Sequence, residues 1–164
     1  METLGHVLGF CSYGETLRIQ RHHNIRSMLA STLRKLKYTV FEEVHGIADN
    51  GSYRRIDILA YKESTSSAII LDPTIRMESH PGQAEEVHKE KEDIYKPTIP
   101  YYKDKYHLSD ITVHGLMFGA RGTIPRFTAL YCKGLGFTNS CLLNMSTQVI
   151  KDSVKILRNH LYGT

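Results

Sequence analysis

The fold turns on Tyr53–Asp72, "YRRIDILAYKESTSSAIILD". Two apolar, β-branched runs flank the polar loop Lys62–Ser67, a pattern that reads as an antiparallel hairpin. Each run carries one aspartate: Asp57 stands among Ile56, Ile58 and Leu59, and Asp72 closes the run Ala68–Leu71. If the hairpin is symmetric about Ser64 and Thr65, the two aspartates lie directly opposite on one face, with Cβ atoms about 5 Å apart. Two ionised carboxylates at that distance repel by roughly 3 kcal/mol at an effective dielectric of about 20. Either a bridging cation such as Mg²⁺ compensates, or Arg54 and Arg55 neutralise the pair structurally. A one-residue slip in register would turn one aspartate away.

Working outward, Asn24 is placed to cap a helix whose apolar stripe is Ile25, Met28, Leu29, Leu33 and Leu36, with its arginines turned outward. Thr16–Phe41 holds six basic residues (Arg18, Arg21, Arg26, Arg34, Lys35, Lys37) and no acid. That helix offers a polyanion a positive face, or is simply a solvated surface. "YTVFEEVH" reads as a strand before the hairpin. After it, Pro81 and "GQAEEVHKEKEDIY" announce a second helix, ended by Pro97 and Pro100. "ITVHGLMFG" reads as a further strand, with Gly119 and Gly122 bracketing a turn. The tail "MSTQVIKDSVKILRNHL" reads as a closing helix with Val149, Ile150, Val154, Leu157 and Leu161 on one side. This order predicts an α/β domain, a central mixed β-sheet flanked by helices.

At 164 residues the chain suits one domain. A net charge of +4 does not by itself mark a nucleic-acid binder. Three irregularly spaced cysteines, Cys11, Cys132 and Cys141, give no disulfide framework and favour a reducing compartment. No secretory leader is apparent, and no run reaches the roughly 18 apolar residues of a membrane span. The expectation is a soluble intracellular protein, nuclear or cytoplasmic, with no membrane partner.

Lys91 and Tyr95 are spaced i, i+4 and share a helix face, with Lys89 and Glu92 near its border. Two carboxylates on a metal with a lysine alongside are the equipment of phosphodiester hydrolysis. The metal lowers the pKa of a bound water, and the lysine positions that water or stabilises the transition state. The other charges of "EEVHKEKED" read as a solvated face with internal ion pairs.

These residues resemble a family. "RRIDILAYKESTSSAIILDPTIRME", "KEKEDIY" and "VHGLMFGARG" look like the restriction-like endonuclease domain, a variant of the PD-(D/E)xK fold, from the C-terminal part of site-specific non-LTR retrotransposon polyproteins. The resemblance matches the two family acids to Asp57 and Asp72, with fourteen residues between them. It matches the displaced lysine to Lys91, the following tyrosine to Tyr95 and an additional upstream acid to Glu43. Ile56 stands where the family usually has proline. "GARGTIPRFTALYCKGLGF" also looks like the family. Upstream, "HVLGFC" places His6 and Cys11 at the H-x4-C spacing of a CCHC zinc knuckle. With two of four ligands, no stable Zn²⁺ site is expected. The resemblance thus divides the chain into residues 1–20, a knuckle remnant and linker, and residues 21–164, the restriction-endonuclease-like domain.

What the resemblance implies is a Mg²⁺- or Mn²⁺-dependent DNA endonuclease that nicks double-stranded target DNA for priming by a reverse transcriptase. Asp57 and Asp72 would hold the metal, and Lys91, Tyr95 and Glu43 would complete the catalytic set. Arg26, Arg34, Lys35, Arg55, Lys89 and Arg121 are the candidate DNA contacts; Arg121, in "GARG", suits a salt bridge equally well. Element RNA and the reverse transcriptase part of the polyprotein are further partners implied. The chain resembles either a fragment of such a polyprotein or a short reading frame derived from one. Two other readings stand beside this one: an inactive nucleic-acid-binding remnant, and a structural or interaction domain. His45, His80, His88, His107 and His114 read as surface or loop residues, and Cys132 and Cys141 as small core residues.

Overall fold

The computed structural model describes residues 3–163. A short helix α1 (Leu4–Gly9) and one 3-10 turn (Ser12–Gly14) lead into the long helix α2 (Glu15–Lys35). Three strands follow, β1 (Thr39–Ile47), β2 (Tyr53–Tyr61) and β3 (Ser67–Arg76), then α3 (Gln83–Tyr95), a 3-10 turn (Lys96–Thr98) and α4 (Ile99–Tyr106). Strand β4 (Asp110–Gly119) and helices α5 (Arg126–Gly134) and α6 (Asn139–Tyr162) complete the chain. The strands lie in the order β1-β2-β3-β4. β1–β2 and β2–β3 are antiparallel and β3–β4 is parallel, so the sheet is mixed, as expected.

The sheet carries a core on each face. Ile58, Ala60, Leu71, Leu116 and Phe118 pack under Ile25, Leu29 and Leu33 of α2 and under Leu142, Met145 and Val149 of α6. On the other face Leu59, Ile70, Ile111 and Val113 pack against Tyr95 of α3 and Tyr102 of α4. The parallel β3–β4 pair needs a crossover connection, and α3 and α4 supply it.

Several elements depart from expectation, each for a physical reason. Asn24 caps nothing: α2 begins nine residues earlier, after Gly14, and Asn24 sits mid-helix, donating to Asp152 Oδ2 at 2.9 Å. Nor do the arginines of α2 all turn outward. Arg21 and Arg26 are buried, because one helix lies under α6 and beside β1 and has little solvent face left near its middle. Pro97 and Pro100 do not end a helical region. Each sits in the first turn of the next helical segment, where the missing N–H costs nothing. The closing helix starts at Asn139 and buries Leu142, Met145, Val149, Ser153 and Ile156, whereas Ile150, Val154 and Leu161 are exposed. Two apolar rows run along α6, and only packing against α2 decides which is inside.

The hairpin register is the expected one. Ile58 pairs with Leu71 and Leu59 with Ile70, so Asp57 stands opposite Asp72 one step beyond the last paired residues. The shared-face expectation fails locally. Ile56 belongs to the α3/α4 core and Ile58 to the α2 core, although residues two apart in a regular strand share a face. The alternation breaks at Asp57. On β1 the partner of that break is Glu43, which is skipped between the pairs Glu42–Ile58 and Val44–Ile56 and has φ of 53°. Left-handed backbone at a non-glycine costs of order 1 kcal/mol and persists only where surroundings enforce it.

Candidate active site

Where β2 and β3 stop pairing, a solvent-open cleft of about 430 Å³ lies between α2 and α3. Asp57, Asp72, Lys91 and Tyr95 all line it, joined by Arg18, Arg21, His22, Arg55 and Thr74. Four residues singled out from sequence for one site are thus brought together.

Asp72 is almost wholly buried and fully bonded. Tyr95 donates its hydroxyl to Oδ2 at 2.7 Å, Lys91 Nζ lies 3.1 Å from Oδ1, and Thr74 donates to Oδ1 at 3.2 Å. Burial first, then the charge of Asp72, pushes the Tyr95 phenol far above its ordinary value, so it stays a donor. Lys91 reaches Asp72 from α3 by crossing β4 at Gly115, the residue registered beside Asp72. A Cβ at Gly115 would lie 2.8 Å from Lys91 Cγ and 2.9 Å from the Val87 carbonyl. Glycine there lets α3 sit close enough for the lysine to reach.

Asp57 is held from the other side of the sheet. His22 of α2 places Nε2 3.0 Å from Asp57 Oδ2. The helix is fixed in rotation by the preceding residue. Arg21 donates to Ser153 Oγ of α6 and to the Leu8 carbonyl, each at 2.9 Å. Burial, with Arg18 adding repulsion, pulls the Arg21 guanidinium down to about 10, still protonated at neutral pH. His22 was not among the candidate site residues; its i, i+4 spacing from Arg18 is the only signal, and which face of α2 meets the cleft depends on α6.

The two carboxylates fit a hard divalent cation. Mg²⁺ keeps several waters and binds through one or two carboxylates plus substrate phosphates, and Asp57 and Asp72, which line the same open cleft, are the residues that would hold it. Among the described residues no group of three or more histidine, cysteine or acidic side chains is arranged as a metal cage.

The other candidates are placed elsewhere. Glu43 does not line the cleft; it pairs with Arg26 at 2.8 Å and Arg55 at 3.5 Å. Arg26, read from sequence as a DNA contact, is buried and paired with Glu42 and Glu43 of β1. Arg34, half exposed, pairs with Glu42 at 2.9 Å. Lys89 pairs with Asp93 at 2.7 Å on the exposed side of α3. Arg121 pairs with Glu78 at 3.2 Å, the salt-bridge alternative. Lys35 lines a separate groove of about 580 Å³ between α2 and α6, where it is the sole charged residue. Of the six, Arg55 alone lines the cleft.

The N-terminal segment packs as part of the domain. Val7 and Leu8 are buried with Ala120 and Ile156, and position 20, the expected end of the linker, lies inside α2. His6 is exposed on α1, whereas Cys11 is buried with its sulfur 3.6 Å from His160 Nδ1. His88 and His114 are not free surface residues either: His114 stacks on Tyr131 at 3.7 Å and on His88 at 5.1 Å. Cys132 is buried and its thiol is pushed up to about 12, as suits a core residue.

No protein-family profile matches the chain. Over 124 residues, 74% of its length, the chain is 28% identical to the Retrovirus-related Pol polyprotein from type-1 retrotransposable element R2 of Popillia japonica. The matched stretch spans 25% of that protein. This similarity supports an origin in a retrotransposon polyprotein.

Proposed function

We propose that the cleft is the active site of a metal-dependent DNA endonuclease with a restriction-endonuclease-like fold, the part of a retrotransposon polyprotein that nicks the target. The observation that carries this reading is the convergence of Asp57, Asp72, Lys91 and Tyr95, drawn from two strands and a helix, on one solvent-open cleft. The similarity to a retrotransposon Pol polyprotein supports it independently. Mg²⁺ or Mn²⁺, bound by Asp57 and Asp72, would activate water and neutralise charge on the phosphate.

The chain's own residues do the rest. Asp72, held by Tyr95, Lys91 and Thr74, keeps one geometry. Lys91, 3.1 Å from Asp72 and lining the cleft, would offer its ammonium to the scissile phosphate or to the attacking water. Tyr95, kept protonated, donates to Asp72 throughout and takes no proton. Arg55 and Arg18 at the cleft rim attract the DNA backbone, which makes binding salt-dependent and weakly selective for sequence. Double-stranded DNA is the substrate; the nick would leave a 3′ hydroxyl for a reverse transcriptase elsewhere in the polyprotein, with element RNA as its template.

One observation favours a second reading, an inactive DNA-binding remnant. Both oxygens of Asp72 already have protein partners, a network that is complete without a metal. Nicking of supercoiled plasmid with Mg²⁺ or Mn²⁺ decides between them. The endonuclease reading expects metal-dependent nicking that disappears in Asp72→Ala and Lys91→Ala. Salt-sensitive DNA binding with no nicking by the unaltered chain would establish the remnant instead.

A further inference from the structure

We infer that His22 is a positioning residue for Asp57, fixing the carboxylate so that one oxygen faces the metal; this rests on the endonuclease reading. Asp72 has three partners from β3 and α3, and its orientation is over-determined. Asp57 stands where strand alternation breaks, so its own backbone does not dictate which way the carboxylate turns. Its side-chain partner is His22, whose Nε2 lies 3.0 Å from Oδ2. Carboxylates that ligate metals are themselves hydrogen-bonded, and losing such a partner weakens metal binding roughly 10–100-fold.

The placement of His22 is built into the fold. Arg21, its neighbour, is 2% exposed and is clamped to Ser153 and Leu8. One turn on, Arg26 is locked to Glu42 and Glu43 of β1. Two buried arginines, five residues apart, fix both the rotation and the height of α2, and the residue beside the first is thereby aimed at Asp57. This also gives the buried arginines a purpose that DNA binding does not. To donate to a carboxylate, Nε2 must carry the proton, and a side chain of similar reach with an N–H donor can replace it.

The test compares the full chain with His22→Gln, which keeps a donor at that reach, and His22→Leu, which does not. Asp57→Asn serves as the reference for a lost ligand, and circular dichroism confirms that each folds. Mn²⁺ binding is measured without DNA by calorimetry and electron paramagnetic resonance, and plasmid nicking is titrated with Mn²⁺. The inference expects His22→Leu to weaken Mn²⁺ binding by about tenfold or more. The same factor should appear in the Mn²⁺ concentration for half-maximal nicking, while the rate at saturating Mn²⁺ stays near that of the unaltered chain. His22→Gln should recover most of the affinity. Unchanged Mn²⁺ affinity in His22→Leu, with affinity lost in Asp57→Asn, overturns the positioning role and leaves the endonuclease reading standing. Equal loss in both His22 variants overturns it in favour of the imidazole as a direct ligand. If the unaltered chain binds no Mn²⁺ and nicks nothing, both readings fall together.

Discussion

The half of the site built on β3 and α3 and the half built on β2 and α2 differ in how far their contacts reach along the chain. Asp72 and Tyr95 are 23 residues apart and joined by one crossover. Asp57 and His22 are 35 apart, and the helix bearing His22 is held in turn by Ser153, 132 residues from Arg21. The first half is a local motif; the second exists only once α2 and α6 have packed. The burial of the two carboxylates follows the same division, with side-chain exposures of 4% for Asp72 and 15% for Asp57. Alanine replacements should therefore separate the halves by stability although both abolish nicking. Asp72→Ala leaves the partly buried Lys91 without its counter-charge, and should cost about 3 kcal/mol. Asp57→Ala, facing a half-exposed imidazole, should cost nearer 1 kcal/mol. Urea unfolding curves of the two variants check this, and equal costs would break the comparison.

Next in size is Gly115→Ala. The local half depends on α3 lying close to β4, and the added methyl meets both Lys91 Cγ and the Val87 carbonyl. Overpacking of this kind costs typically about 1–3 kcal/mol, and the shift moves Lys91 away from Asp72. Nicking should fall with the Mn²⁺ affinity little changed, because the added methyl displaces Lys91 and leaves both carboxylates, Asp57 and Asp72, lining the cleft. A parallel loss of metal affinity would show the halves to be coupled more tightly than their contacts suggest.

What was legible in the sequence follows the same line. The hairpin register, the opposition of Asp57 and Asp72, and the i, i+4 pair Lys91 and Tyr95 are local, and the structure has them. The break in alternation at Asp57, the left-handed Glu43 and the aim of His22 are not local. They depend on which row of α2 and α6 is buried, and a helix with apolar and basic residues around most of its surface does not declare that row. Arg21 and Arg26 mislead for the same reason: their type argues for solvent, whereas Leu8, Ser153, Glu42 and Glu43 supply their partners from elsewhere in the chain. Helix α5, nine residues long, carries too short a stripe to announce itself.

A smaller effect belongs to Tyr95→Phe, which removes one hydrogen bond to an ionised carboxylate while keeping the ring in its core. The expected cost is about 1.5 kcal/mol. The phenol titrates higher in the folded than in the unfolded chain, so its contribution is complete below about pH 10 and is lost as pH rises through the folded value. The variant should accordingly be less stable than the parent at neutral pH and lose less stability above pH 10. Nicking should survive with a reduced rate, since Lys91 and Thr74 still hold Asp72.

The smallest effect lies at His114 of β4, which does not line the cleft and serves as the reference for the others. His114 is registered beside Leu71, one residue before Gly115, and stacks between Tyr131 and His88. Burial, then the neighbouring His88, pulls its imidazole down to about 4, with Glu92 opposing. The unfolded chain therefore binds a proton near pH 6.5 that the folded chain refuses until about pH 4, so stability is full above 6.5 and declines as pH falls toward 4. Glu78 and Glu92, whose carboxyls are held below their ordinary value, add their own acid losses only below about pH 4.5. The interval between isolates the histidine. Thermal unfolding across it should show a downward slope toward acid that flattens in His114→Phe, with Mn²⁺ affinity at pH 7 untouched. A change in metal affinity in that variant would mean that packing at His88 and Gly115 is transmitted along α3 to Lys91, and that the local half of the site extends as far as His114.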